Sequence, residues 1–474
     1  MLFNSFIFWG FFAVVLGVYR FLPHRAQNVW LLIAGYVFYG YWDWRFLSLL
    51  IISSCADFAL GNLIARTEEP GRRKSLLVLS IVLNLVFLGF FKYFGFFVES
   101  MNALLMDIGI NSALPVLHIV LPVGISFYTF QSMSYTIDVY RREMQPSPTL
   151  LDYATYVSFF PQLLAGPIER PNRLLPQVLN PRVITRSHVA EGIYLCVYGL
   201  FKKVVIADNM AVIANHVFGR DPSTLTATEV LVGVYAFAFQ IYGDFSGYSS
   251  IAKGLANLLG FDLMWNFRMP YLARSPSEFW QRWHISLSTW LRDYLYISLG
   301  GNRGGEWFTY RNLMLTMLLG GLWHGAAWTF VWWGAFHGAI LIAYRMASGR
   351  GGSAVETGPV TVTPGNIAKI FLMFHLVCIS WLLFRAESMH QAGSMLAQLF
   401  VNHAASPFSG FAFAMMAFLV LPMFLYEYWL ERRGDQLALL HTRVTVQTPA
   451  LAYFLLMLLV FPPMQAQTFI YFQF

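Results

Sequence analysis

Runs without Asp, Glu, Lys or Arg recur along the chain at residues 2–19, 26–42, 75–91, 108–137, 312–344, 404–426 and 444–474, with shorter ones between them. A hydrocarbon slab is about 30 Å thick and takes about 20 apolar residues to cross as a helix. Strand-like or irregular spans would leave backbone groups unsatisfied in lipid, and these runs are too long and too uniformly apolar for barrel strands. The pattern therefore predicts an all-α polytopic membrane protein, a single membrane domain over 1–474. Its expected architecture is about eleven transmembrane helices, with re-entrant and interfacial helices, around a central tunnel or funnel.

The run 312–344 holds 33 residues. As one straight helix it would reach about 50 Å, so it should bend or break. Gly320 and Gly321 place the weakness just before Trp323, His324 and Gly325. An imidazole at a helix break inside the membrane is costly unless hydrogen-bonded, and desolvation favours the neutral ring that a general base requires. The competing reading is a packing or helix-bridging histidine. His337, thirteen residues on, would lie roughly 20 Å along a regular helix from His324, outside the same site, and reads as structural.

Loop charges alternate over the first five spans. Arg20 and Arg25 follow the first, Arg45 beside Asp43 the second, and Arg66, Arg72, Arg73 and Lys74 the third; after the fourth, residues 99–115 hold no basic residue, and Arg141 and Arg142 follow the fifth. Cytoplasmic loops carry the excess of Lys and Arg, so the amino terminus should face outward. In span five, Gln131, Ser132 and Ser134 form a polar edge that should face protein. The stretch 156–171 carries Pro161, Gly166 and Pro167 and reads as re-entrant, with a basic connector at 169–186 behind it. Lys202 and Lys203 are expected to snorkel to the cytoplasmic surface.

Between residues 230 and 255, Gln240 and Asp244 share one helical face and are followed by Ser246. An acidic residue after the charge-free stretch 231–243 is either a functional group or a structural partner of Lys253 or a passing Arg. The region 275–301 opens with Ser275, Pro276 and Glu278, a capping signature, and continues as an amphipathic helix. Trp280, Trp283, Leu287 and Trp290 make its greasy face, while Gln281, His284 and Ser288 fall together on another. It is too polar to span unaided and should lie at the interface or dip into the protein, as an anchor or as part of a site. Residues 348–365, rich in Gly, Ser, Thr and Pro, read as a flexible loop.

Composition agrees with the membrane reading: 57% hydrophobic, 18% aromatic and 12% charged residues, with a mean hydropathy of +0.55. The net charge of +7 is spread among loops, which suits orientation in a bilayer and not nucleic-acid binding. Cys55, Cys196 and Cys378 form no close pair, so neither a disulfide framework nor a metal site is expected. The first apolar run has no basic region before it and no cleavage pattern after it, and reads as a retained span.

The stretches RWHISLSTWLRDYLYISLGGNRGG around His284 and GGLWHGAAWTFVWWGAFHG around His324 resemble the paired histidine signature of membrane-bound O-acyltransferases. FYTFQSMSYTIDVYR, FFPQLLAGPIER, IYGDFSGYSSIAKG, WLLFRAES and the terminal FIYFQF extend the likeness over nearly the whole chain, to the bacterial branch that acetylates alginate and other exported polysaccharides. The teichoic acid D-alanyl transferases are a nearby branch. The resemblance implies an O-acetyltransferase of the bacterial inner membrane. No cofactor would be bound: acetyl-CoA or another acyl thioester would be the donor substrate, and a polysaccharide the acceptor, reached through a periplasmic SGNH-type acetyltransferase partner. It also implies His324 as the base, with His284 or Trp323 steadying the oxyanion. Gln240, Asp244, Ser246, Arg282 and Ser288 would line the substrate path, and Arg282, Arg292, Arg303 and Arg311 would suit an anionic donor. A polysaccharide-precursor transporter is the rival from another class, with Asp244 and the histidines relaying protons.

Overall fold

Every regular element among the described residues is helical. The computed structural model describes residues 1–474 apart from 111–113, 118, 165, 349–357, 463–468 and 471–474. In chain order the first helices are α1 (Phe6–Tyr19), α2 (His24–Asp43), α3 (Leu47–Arg66), α4 (Pro70–Leu88), α5 (Phe94–Asp107), α6 (Ile125–Arg141), α7 (Leu150–Val157), α8 (Phe160–Leu163), α9 (Pro171–Leu179) and α10 (Arg186–Leu200). They are followed by α11 (Asp208–Phe218), α12 (Ala227–Leu258), α13 (Pro276–Arg282), α14 (Ile285–Trp290), α15 (Glu306–His324), α16 (Trp328–Ser348), α17 (Pro364–Arg385), α18 (Met389–Val401), α19 (Pro407–Arg433) and α20 (Val444–Val460).

Among the described residues, four helical stretches are long and apolar enough to cross a membrane: His24–Arg66, Pro70–Asp107, Pro364–Arg385 and Pro407–Arg433. Phe6–Tyr19 and Val444–Val460 are shorter apolar helices. Large apolar side chains such as Phe6, Phe97, Phe371 and Leu459 stand exposed on these helices. A helix surface of that kind is stable against acyl chains and unfavourable against water. Half of the expected loop at 348–365, residues 349–357, falls outside the described residues, as does the end of the terminal FIYFQF motif.

The chain forms two compact units, Met1–Val189 with Leu255–Met264, and Ala190–Gly254 with Trp265–Phe474. In the first, α3, α4 and α6 pack together around a buried carboxylate. Asp57 accepts from Ser80 Oγ at 2.7 Å and from Asn84 Nδ2 at 2.9 and 3.0 Å. Asp57 is charge-free on both sides from 46 to 65, the same signal that singled out Asp244. The polar edge of span five is buried as expected: Gln131 Nε2 donates to the Tyr156 carbonyl at 3.0 Å. The stretch 156–171 is interrupted as expected, with the single turn α8 between non-helical residues, and nearly all of it is buried.

Most of α12 lies in the second unit. Its glycines bring backbones close: a Cβ on Gly247 would meet the Gly199 carbonyl oxygen at 2.7 Å, and one on Gly243 the Lys202 carbonyl oxygen at 2.9 Å. The partner segment, Phe201–Ala207, is a π-helix, a wider turn that often marks functional sites. It corrects the snorkelling expectation, because Lys202 and Lys203 are both buried. Lys203 Nζ pairs with Asp208 and Asp244, each at 2.8 Å. Lys202 Nζ donates to Ser250 Oγ at 3.2 Å and lies 4.7 Å from the Tyr198 ring centroid. Nearby, Tyr198 and Tyr242 donate their hydroxyls to Glu427 at 3.0 and 2.8 Å.

Candidate active site

The long run 312–344 turns back. α15 ends at His324, residues 325–327 are non-helical, and α16 starts at Trp328. The break follows the histidine instead of preceding it, and Gly320 and Gly321 stay within α15. The glycines serve the hairpin in another way, by letting its two helices touch. A Cβ on Gly321 would run into the Phe330 carbonyl oxygen, one on Gly334 into the Met317 carbonyl oxygen, and one on Gly338 would come within 2.8 Å of Met314 Sδ. Gly321→Val is therefore expected to destabilise the protein by about 1–3 kcal/mol, as overpacking in a close-packed interface does. Gly17→Ala, on a helix face with nothing within 4 Å, should be neutral. A melting series in detergent that moves both variants equally would contradict this packing.

The regular-helix geometry assumed for His337 is overturned by the same turn. His337 lies beyond Trp333, with ring centroids 4.7 Å apart, while His324 lies 5.0 Å from Trp333 on the other side. His337 is otherwise walled by Phe279 at 6.0 Å and Trp280 at 5.0 Å. Its two ring nitrogens are buried, and among the described residues they meet no hydrogen-bond partner.

His284 sits where the expected amphipathic helix breaks. Ser275 caps α13 through the Glu278 N–H at 3.2 Å, with Pro276 in the first turn. Glu278 returns its carboxylate to the Arg274 N–H at 2.8 Å, one residue before the cap. α13 then stops, because Trp283 is extended and His284 is left-handed (φ 42°, ψ 54°). The break undoes the shared polar face: Gln281 is exposed and His284 fully buried. For a residue with a Cβ the left-handed region costs about 1–2 kcal/mol. Asn266 offsets it: the Ile285 N–H donates to its backbone oxygen at 2.9 Å and the Ser286 N–H to its Oδ1 at 3.2 Å. The same Oδ1 lies 3.1 Å from His284 Nδ1.

The turn of the hairpin and this break bring the two histidines together. Their ring centroids are 6.3 Å apart, with Trp323 5.9 Å from His284 and 5.1 Å from His324. Phe245 of α12 packs edge-on to His284 at 4.6 Å, and Phe384 stands 5.4 Å from His324. The pair is 0% and 4% exposed, so bulk water is excluded and hydrogen bonds inside it are strengthened.

The remaining expected site residues have other surroundings. Asp244 directs its carboxylate to Lys203 at 2.8 Å and to the Ile470 N–H at 2.7 Å, so its charge partner is Lys203 and not Lys253 or an Arg. Gln240 and Ser246 are buried on α12, and the Ser246 carbonyl accepts from Ser250 Oγ at 2.8 Å. The Ser288 hydroxyl returns to the Trp283 carbonyl at 3.2 Å. Arg282 pairs with Glu278 and with Glu431, both at 2.8 Å. It borders a cavity of about 560 Å³ whose charged lining is Arg268 and Arg282 against Glu278, Glu431 and Asp435. Arg292 pairs with Asp293 at 2.7 Å and Arg311 with Asn312 at 2.9 Å. Asn266, Phe245 and Lys203 were not singled out from the sequence. Adjacent lysines ordinarily snorkel to a surface, which conceals Lys203, and Asn266 stands in a stretch with no helical period.

The profile of the membrane-bound O-acyltransferase family matches residues 37–384. The chain is 46% identical over 406 residues to the probable alginate O-acetylase AlgI of Azotobacter vinelandii, covering 84% of this chain and 78% of the relative. It is 37% identical over 429 residues to the peptidoglycan O-acetyltransferase of Helicobacter pylori, covering 84% and 79%. To the teichoic acid D-alanyltransferase of Bacillus subtilis it is 24% identical over 287 residues, covering 56% and 69%.

Proposed function

Because the chain belongs to the membrane-bound O-acyltransferase family, we propose that this O-acyltransferase moves acetyl groups from cytoplasmic acetyl-CoA across the bacterial inner membrane. The final acceptor is an exported polysaccharide of the alginate type, reached through a periplasmic SGNH-type acetyltransferase. The O-acetylase relatives, with their higher identity and coverage, favour acetyl over D-alanyl transfer. In this reading α1–α4, α6, α12, α15–α17, α19 and α20 supply about eleven crossings.

The observation that carries the proposal is the water-excluded pair His284 and His324, 6.3 Å apart beside Trp323. The acceptor hydroxyl oxygen attacks the thioester carbonyl carbon while His324 takes its proton. The tetrahedral oxyanion is steadied by an N–H donor, the C–S bond breaks, and the proton passes to the departing thiolate. The test uses purified protein in vesicles with acetyl-labelled acetyl-CoA on the cytoplasmic side. Label should appear on the partner or on an acceptor glycan in the opposite compartment. Intact acetyl-CoA or unmodified glycan crossing the bilayer without transfer would overturn the proposal in favour of a carrier.

A further inference from the structure

The hydrogen bonds around Asn266 determine which nitrogen of His284 carries its proton. The Ser286 backbone N–H can only donate, and it lies 3.2 Å from one end of the Asn266 amide. That end is therefore the oxygen. The other end, Nδ2, donates to Ser249 Oγ at 3.2 Å, which agrees with the same orientation. An amide oxygen only accepts, so His284 Nδ1, 3.1 Å from it, must be the donor. The Ser286 hydroxyl does not reverse this, because it stands 2.9 Å from the Asn266 oxygen and 3.4 Å from Nδ1.

We propose that Asn266 is a positioning residue that holds His284 as the Nδ1–H tautomer, so that the lone pair of the neutral ring is on the buried Nε2, on a ring 5.9 Å from Trp323 and 6.3 Å from His324. The inference deepens the transfer reading and rests on it. It also divides the roles among these side chains. Neutral His284 presents a proton acceptor at Nε2 and not the N–H that steadies an oxyanion. That task falls to the Trp323 indole N–H, which can only donate. The backbone bonds from Ile285 and Ser286 to Asn266 show why the residue that sets the tautomer also holds the left-handed turn: both come from one side chain and its own carbonyl.

The first test needs no turnover. In ring-¹⁵N-histidine-labelled protein, the His284 resonances, assigned by their loss in His284→Gln, should show a protonated Nδ1 and an unprotonated Nε2. The reverse pattern overturns the proposal. The second test is kinetic. Asn266→Ala should lower kcat at least tenfold, with KM for the donor within twofold of the parent. Asn266→Asp keeps the accepting oxygen and adds a negative charge that favours the protonated ring, so it should recover part of kcat and move the acid limb of the pH profile to higher pH. A folded Asn266→Ala protein with the parent kcat and pH profile would overturn the proposal, as would an Asn266→Asp protein no better than the alanine variant. Should neither variant fold, the tautomer of the parent protein decides. A parent protein that transfers no acetyl group defeats the transfer reading, while the nitrogen resonances still judge Asn266.

Discussion

His324→Gln is expected to abolish acetyl transfer, by a factor of about 10²–10⁴ in kcat, while the protein accumulates in the membrane at its usual level. Glutamine retains hydrogen-bonding capacity and similar bulk but has no nitrogen that takes a proton near neutral pH. The exchange therefore separates chemistry from packing better than alanine, which would also leave a cavity between Trp323, Trp333 and Phe384. His337→Phe is the matched control. That ring is enclosed by Phe279, Trp280 and Trp333, so an aromatic hydrocarbon should replace it with activity kept within a few-fold. Acetyl label on the acceptor and size-exclusion profiles in detergent measure the two quantities. Transfer at the parent rate in His324→Gln would remove the base assignment, and loss of transfer in a well-folded His337→Phe would extend the site along α16.

Lys203→Met is expected to be the most destabilising single change in the second unit. The lysine ammonium stands 2.8 Å from both Asp208 and Asp244, and all three side chains are at most 3% exposed. Removing the cation leaves two carboxylates side by side without a counter-charge, a loss of about 3–5 kcal/mol. A typical domain has about 5–15 kcal/mol in total, so much of the protein should fail to fold. The triad carries one positive and two negative charges, which makes the response asymmetric. Asp244→Asn leaves a one-to-one pair and should be tolerated better, although the Ile470 N–H would exchange a carboxylate partner for an amide. The triple variant Lys203→Met, Asp208→Asn, Asp244→Asn should regain most of the lost stability. Melting midpoints in detergent decide the matter. Equal midpoints for Lys203→Met and Asp244→Asn would mean that the charge balance is not what holds this corner. A stable Asp244→Asn protein without transfer activity would return Asp244 to the substrate path.

The division between legible and illegible features follows the range of the interactions. Whatever depends on neighbours in sequence could be read directly. The charge-free runs forced helices because lipid offers no partner for a bare backbone. Ser275, Pro276 and Glu278 marked the start of a helix because a cap is satisfied within one turn. His284 and His324 were recognisable from the residues flanking each of them. Asp57 was equally visible, by the reasoning applied to Asp244, and was missed.

Partners far apart along the chain were not legible. Lys203 meets Asp244 only because Gly199, Gly243 and Gly247 let α12 approach the π-helical turn, and that turn directs both Lys202 and Lys203 inward. A periodicity of 3.6 residues contains no sign of it. The 13 positions separating His324 from His337 do not run along one helix, because the chain reverses at 325–327. The amphipathic face of 275–301 dissolved at one left-handed residue held by Asn266, 18 positions away. The sequence by itself determined the solvent this protein folds in, its all-helical class and the two histidines worth watching, because each follows from local pattern. Only the tertiary structure decided that those histidines lie buried side by side, which amide orients the second and which lysine neutralises Asp244. Such pairings arise from close approach between segments, which no single segment encodes.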